Sequence, residues 1–271
     1  MKTDGELLYA YAVARDGGSP ADVPETLTGV ADEPVVPVRH AGFAALVGRV
    51  PAAEFEEDAL RERLEDLAWL ERVARGHQRV VDAAVSAFSC ALPLRLATVY
   101  RDEEGVRRML ADGSASLGSA LDRLEGRVEW GVTVYALPPP NPPDPPDPLE
   151  LSPTPSPPES APAPSGRDYL RRRGAQRRAR EADARRAGRA AEAVHDTLSP
   201  LAEEVRLHPP QDSRLSDHPG HNLLNAAYLV PRERTEEFTR TVAALTDDAP
   251  DGLRIRLSGP WAPYSFVTHA P

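Results

Sequence analysis

Cysteine is almost missing from this chain: Cys90 is the only one in 271 residues. A single thiol excludes an internal disulfide framework and any cysteine-rich zinc or iron–sulfur site, and the cytosol is the natural compartment. Lysine is as scarce, with Lys2 alone among 32 basic residues. Arginine supplies the rest, and the many alanines and prolines beside it fit a GC-rich coding bias, so arginine number alone carries little weight. Aromatic residues make up only 6% of the chain. No stretch approaches about 18 uninterrupted apolar residues. The N-terminus has an acidic flank and no apolar h-region, so neither a membrane span nor a signal peptide is expected. A net charge of -10 argues against a protein that coats nucleic acid along its whole surface.

Catalytic motifs are also scarce. Gly113-Ser114-Ala115-Ser116-Leu117-Gly118 has P-loop glycine spacing but lacks the following Lys-Ser/Thr, so it cannot cradle phosphates and hold magnesium in that way. No G-x-G-x-x-G follows a strand, and no G-x-S-x-G elbow is present. Cys90 has no obvious base nearby and reads as an inert buried thiol. His208, His218 and His221 fall within fourteen residues. A zinc site needs three or four firmly placed ligands, whereas this segment is a polar loop broken by proline, and it reads as solvated. His77 lies on an apolar helix face and reads as a hydrogen-bonded core or interface histidine rather than a catalytic one. No catalytic, cofactor or metal residue is assigned, and no enzyme activity is expected.

What the chain does contain is patterning. With 41% hydrophobic residues it can build real cores, and its length suits two ordinary domains. Fourteen of the 29 residues from Leu137 to Ser165 are proline. Such a run excludes helix and central strand and favours extended polyproline II, so 137–165 reads as a linker between domains at 1–136 and 166–271. In the first part, strands are expected near 7–14, 35–38 and 43–50, the last two as a hairpin with Pro37 at an edge or bulge. From Glu54 the period becomes helical. Leu60, Leu64, Leu67 and Leu70 trace one face, and Val73, His77, Val80, Val81, Ala84, Val85 and Phe88 continue it. Pro93 prevents helix throughout 92–100. Helices follow near 102–111 and 114–125, then Arg127–Ala136 alternates as a strand expected to return to the first sheet. The second part opens with a long helix near 167–207, broken or kinked at Ser199-Pro200. A strand at 222–230, a helix at 232–247 and a strand at 253–258 complete it. The fold class is α+β, with two α+β domains.

Two stretches stand out. Between Arg167 and Arg189 ten arginines meet three acids, so the net charge divides into +7 here and -17 elsewhere. This helix reads either as a nucleic-acid or regulatory contact, or as a solvated or partner-facing helix. The chain also closes on Gly259-Pro260-Trp261-Ala262-Pro263-Tyr264-Ser265-Phe266, three aromatic residues within six positions. They either cap the second core or form a rigid anchor for a partner.

Four stretches, taken in order, resemble the GvpL/GvpF family of gas vesicle accessory proteins. The first runs from His77-Gln78-Arg79-Val80-Val81 to Leu92-Pro93-Leu94-Arg95-Leu96-Ala97-Thr98-Val99-Tyr100. The others are Val128-Glu129-Trp130-Gly131-Val132-Thr133-Val134, Leu224-Asn225-Ala226-Ala227-Tyr228-Leu229-Val230 and the closing aromatic stretch. Where the family reads Phe-Gly after Leu94-Arg95, this chain has Leu96-Ala97, and alanine argues against a positive φ there. The resemblance implies two α+β domains, the N-terminal one modified ferredoxin-like, and a non-enzymatic role without cofactors. It implies binding of the small, hydrophobic main shell subunit (GvpA-type) and of other gas vesicle accessory proteins. That binding would keep the subunit soluble and assist shell nucleation, in the cytoplasm and at the gas vesicle, with this protein as a minor vesicle component. The same resemblance makes His77, Leu94, Arg95, Trp130, Tyr228, Trp261, Tyr264 and Phe266 the candidate contact or motif residues. Arg95 either satisfies carbonyls or a carboxylate at its own turn or faces the client.

Overall fold

The first strand, β1 (Glu6–Arg15), is apolar on both faces because both are covered. In the computed structural model, residues 5–17, 24, 26–88, 90–137, 166–210 and 220–267 are described, without the side chains of 166–170, 172 and 176. Leu8, Ala10 and Val13 point to one side of the sheet, and Tyr9, Tyr11, Ala12 and Ala14 to the other. The register against β3 (Phe43–Pro51) slips between Ala10 and Ala12. That bulge carries one extra residue and so lets Tyr11 and Ala12 face the same way.

β2 (Val35–His40) and β3 form the expected hairpin, His40 opposite Phe43. Its turn residues Ala41 and Gly42 both have positive φ, 50° and 79°, as a two-residue type I′ turn requires. With β4 (Ala91–Pro93) the sheet order is β2-β3-β1-β4, and β5 (Val99–Tyr100) also pairs with β1. Pro37 therefore sits on an edge strand, where a missing N–H costs no ladder bond.

The helical stretch from Glu54 is not one helix. It divides into α1 (Ala52–Phe55), α2 (Glu57–Arg63) and α3 (Leu67–Ala87). The Asp66 carboxylate restarts it, accepting from Ala68 N and Trp69 N at 3.0 and 3.2 Å. The apolar face is re-aimed at that restart. Leu64 and Leu67, expected inside, are 43% and 78% exposed. Trp69, Val73, His77, Val80 and Ala84 face the Tyr9 side of the sheet instead. The opposite side is covered by α4 (Glu103–Asp112) and α5 (Ser114–Leu124), through Val106, Leu110, Leu117, Leu121 and Leu124.

The main departure concerns β6 (Arg127–Ala136). It does not return to the first sheet but lies in the middle of the second, whose order is β7-β8-β6-β9. Here β7 is Glu204–Leu207, β8 is His221–Pro231 and β9 is Leu253–Trp261. β6 runs beside β8 from Arg127↔Pro231 to Ala136↔His221. The first sheet offers no partner of that length, since its edges are a proline-bearing β2 and a three-residue β4. The proline-rich run thus leaves from the end of β6 and rejoins the same sheet's helix, α6 (Gly166–Leu198). From residue 138 it lies outside the described residues.

α6 stops at Leu198, and Ser199–Leu201 forms a 3-10 turn with Pro200 inside it. The helix expected to reach 207 is therefore shorter, and its last segment is β7, an edge strand on β8. α7 (Thr235–Asp247) completes a β-α-β-β-α-β run, β6-α6-β7-β8-α7-β9. The first sheet repeats the same strand order, with the β1–β2 connection standing where the second has α6. α6 and α7 cover one face of the second sheet. On its other face, Ala227 and Leu229 join the α4–α5 core of the first. No helix among the described residues is long and apolar enough to cross a membrane.

The β4–β5 turn laces back onto β1, with Leu94 N donating to Tyr11 O at 2.8 Å and Ala10 N to Thr98 O at 2.9 Å. Ala97 has a φ of 63° despite its side chain. The expectation from the Gly-to-Ala departure is thus corrected: the left-handed turn is kept, because Ala97 N donates to the buried Tyr9 hydroxyl at 2.8 Å. A left-handed alanine costs about 1 kcal/mol, partly offset by the lower unfolded-state entropy relative to glycine. Ala97→Gly should therefore stabilise the protein by about 0.5 kcal/mol, read as a higher urea midpoint with unchanged slope. A lower midpoint would show that the turn carries no such strain.

Candidate functional site

Four of the eight motif residues, His77, Leu94, Tyr264 and Phe266, are linked where the C-terminal turn meets the first sheet. His77, on the inner face of α3, is buried with both ring nitrogens engaged. Nε2 lies 3.1 Å from Leu94 O, and because a carbonyl only accepts, Nε2 carries the hydrogen. Nδ1 then accepts from the Tyr9 hydroxyl at 3.1 Å, while that hydroxyl accepts from Ala97 N. The chain Ala97–Tyr9–His77–Leu94 is complete only with a neutral imidazole. Burial holds the His77 pKa down at about 4, and the bond to the Leu94 carbonyl opposes that shift only in part. Tyr11 beside it donates to Glu33 Oε1 and accepts from Val30 N at 2.9 Å, which fixes the β1–β2 connection. Burial raises the pKa of both tyrosines.

The closing stretch crosses from the second sheet to this cluster. Gly259 has φ 117°, and a Cβ there would meet Glu129 O at 2.9 Å, so only glycine fits. β9 runs on through Trp261, and Tyr264–Phe266 then forms a 3-10 turn. Glu129 on β6 clamps that turn, accepting from Ser265 N at 2.8 Å and Ser265 Oγ at 2.7 Å. His208 Nε2 reaches the same Ser265 Oγ at 3.1 Å. Burial raises the Glu129 pKa, while the two Ser265 bonds pull it back down. The Tyr264 ring centroid lies 6.4 Å from that of His77. Phe266 is fully buried in the α4–α5 core with Ala227 and Leu229, and Leu94 packs against that core. Arg123, at the end of α5, donates to Phe266 O at 2.6 Å and pairs with Glu204 at 2.7 Å. Arg127 pairs with Glu203 at 2.5 Å.

His77, Leu94, Tyr264 and Phe266 thus come together at the seam. Trp130 and Tyr228 do not. They face α6 and α7, Trp130 stacking on Phe238 at 6.4 Å and the Tyr228 hydroxyl bonding His195 Nδ1 at 3.0 Å. Trp261 is 42% exposed. The Arg95 guanidinium is exposed and has no hydrogen bond or ion pair among the described residues; its carbonyl, not its side chain, closes the turn by accepting from Thr98. Cys90 is half-buried, with its pKa pushed up to about 11 by burial. His208 serves Ser265, His221 opens β8, and His218 lies outside the described residues. Tyr9, Arg123, Glu129 and Ser265 were not singled out from sequence. Glu129 carries the one usable signal, an acid between valine and tryptophan in an alternating strand.

The His77 network gives stability a pH dependence of definite sign. The unfolded imidazole titrates near 6.5, the folded one near 4. Above the unfolded value both states are neutral and the contribution is complete. Between about 6.5 and 4 the unfolded chain takes up a proton that the folded chain refuses, so stability falls as pH falls, by about 3 kcal/mol across the window. In urea titrations at pH 7.5, 6.0 and 5.0, the stability lead of wild type over His77→Gln should shrink steadily towards low pH. A lead independent of pH would contradict a buried neutral imidazole.

The sequence matches the family described as "Gas vesicle synthesis protein GvpL/GvpF" over residues 7–268. The chain is 47% identical to gas vesicle protein L of Streptomyces sp. (strain CB03234) over 269 residues, 98% of this chain and 94% of that protein. It is 30% identical to gas vesicle protein L2 of Halobacterium salinarum, over 96% of this chain and 90% of that protein. The crystal structure of the gas vesicle protein GvpF from Anabaena sp. PCC7120 superposes with a TM-score of 0.66 at 22% identity, covering 98% of this chain and 97% of that one. A two-sheet α+β fold, sequence identity along nearly the whole chain and the matched region lead to one conclusion: the chain belongs to the GvpL/GvpF family of gas vesicle proteins.

Proposed function

We propose that this protein is a non-enzymatic gas vesicle assembly factor that binds the hydrophobic main shell subunit, limits its aggregation and assists shell nucleation. Membership of the GvpL/GvpF family over residues 7–268 carries this reading. Exposed side chains around the seam support it. Trp261 and Leu96 are the apolar ones, and Arg95 adds a charge without an internal partner among the described residues. Leu96 follows the residue whose carbonyl His77 holds by two positions, and Trp261 precedes Tyr264 by three. Both therefore project from backbone that the seam keeps rigid. Aromatic and arginine side chains are the ones enriched in protein–protein anchors. An unassembled shell subunit exposes apolar helix faces and sheet edges, which such an anchor covers reversibly. The acidic surface keeps the resulting complex dispersed.

Co-expression with the shell protein of the same organism tests the proposal. Soluble shell protein should increase and co-purify with this chain, and Trp261→Ala should weaken that association roughly tenfold or more while leaving the urea midpoint near wild type. No gain in soluble shell protein and no co-purification would overturn the assignment.

A further inference from the structure

The N-terminal part of α6 is a charged rod. The helix enters its core through Ala191, Val194 and Leu198, whereas no described side chain from Arg171 to Arg186 is buried. Arg171, Arg178, Arg185 and Arg189 recur at steps of seven, seven and four, so they share one side of a 3.6-residue helix. That side points away from the Ala191–Val194–Leu198 stripe and extends over about 27 Å. Arg178, Arg180, Arg185 and Arg189 have no carboxylate partner among the described residues. A helix so rich in like charge gains little from its own sequence, and an acidic partner would stabilise it.

The chain carries a complementary surface on its opposite outer layer. α1–α3 cover the face of the first sheet turned away from the second sheet, and α6–α7 cover the outer face of the second. Residues 56–66 hold six acids and two arginines. The Glu62 and Glu65 carboxylates have no ion-pair or hydrogen-bond partner among the described residues. Leu64 within this segment and Leu67 directly after it are exposed beside these acids.

We propose that the protein self-associates head to tail, the arginine stripe of α6 in one copy seating on the acidic α2 segment and its leucines in the next. The two halves of this contact lie on opposite sides of the molecule, so it does not close as a two-fold dimer and extends into rows or rings. A second copy is favoured over nucleic acid because the remainder of the chain, at -17, repels a polyphosphate. In addition, Tyr169 alone among the residues from 167 to 189 is aromatic, too few for a row of stacked bases.

Sedimentation velocity of the full chain is the test. At about 50 mM NaCl the sedimentation coefficient should rise with protein concentration, and at about 500 mM it should return to that of the monomer. Arg178→Glu/Arg185→Glu/Arg189→Glu and Glu62→Arg/Glu65→Arg should each be monomeric at low salt. All five side chains are exposed, so both variants should keep the wild-type urea midpoint. Mixed in equal amounts at low salt, the two variants should associate again, because the intact stripe of one meets the intact acidic segment of the other and the two reversed halves are of opposite charge as well. A wild type that stays monomeric at low salt, or a mixture that stays monomeric, overturns the proposal. If a monomeric wild type instead retards a single-stranded RNA probe and the triple arginine variant does not, the helix is a nucleic-acid contact.

Discussion

Phe266 is the contact on which the arrangement of the two sheets depends. It comes from the last described turn of the chain and is fully buried among α4, α5 and the inner face of β8. The first sheet alone would leave the α4–α5 layer with an uncovered apolar side, and the second would leave Ala227 and Leu229 in water. One ring covers both. Its backbone carbonyl is held by Arg123, whose guanidinium also reaches Glu204 on β7, so a single α5 side chain ties the apolar plug to the edge of the second sheet.

The polar contacts of the seam decide where that plug sits. Glu129 receives both donors of Ser265, and this fixes the turn that aims Tyr264 towards His77 and Phe266 into the core. His77 in turn holds the β4–β5 turn through Leu94 O and shares Tyr9 with Ala97. A histidine used this way is a structural tie, neutral and satisfied. What remains for partners lies outside it: the exposed Trp261 and Arg95–Leu96, and the charged rod of α6. The seam supplies rigidity, and the proposed contacts use the exposed surfaces around it.

Much of this architecture was legible in the sequence, and each misreading has a physical cause. The β2–β3 hairpin, the edge position of Pro37 and the break at Ser199-Pro200 follow from local chemistry. The alternation of β6 was legible too, but period says nothing about which sheet a strand joins; that was decided by the available partner length. β7 falls inside the helix expected to reach 207, because its partner, β8, is remote in sequence and leaves no local signal. Leu64 and Leu67 were placed inside because a leucine count does not register the restart that Asp66 imposes. Ala97 keeps a left-handed backbone through a hydrogen bond to Tyr9, a contact between residues 88 positions apart. For the closing stretch, the expected cap on the second core is corrected: Phe266 enters the α4–α5 core instead, a destination that lies in another part of the chain, while Trp261 stays exposed.

The central claim is that the C-terminal turn joins two sheets into one cooperative body. Trp69 lies in the core of the first sheet and Trp130 in that of the second, so single-tryptophan proteins, with the other two indoles replaced by phenylalanine, report each sheet separately. The account predicts one shared urea midpoint from both probes. It further predicts that Phe266→Ala, at a cost of about 3–5 kcal/mol, separates the two midpoints. Midpoints that already differ with Phe266 in place, or that stay coincident and unshifted without it, would contradict it.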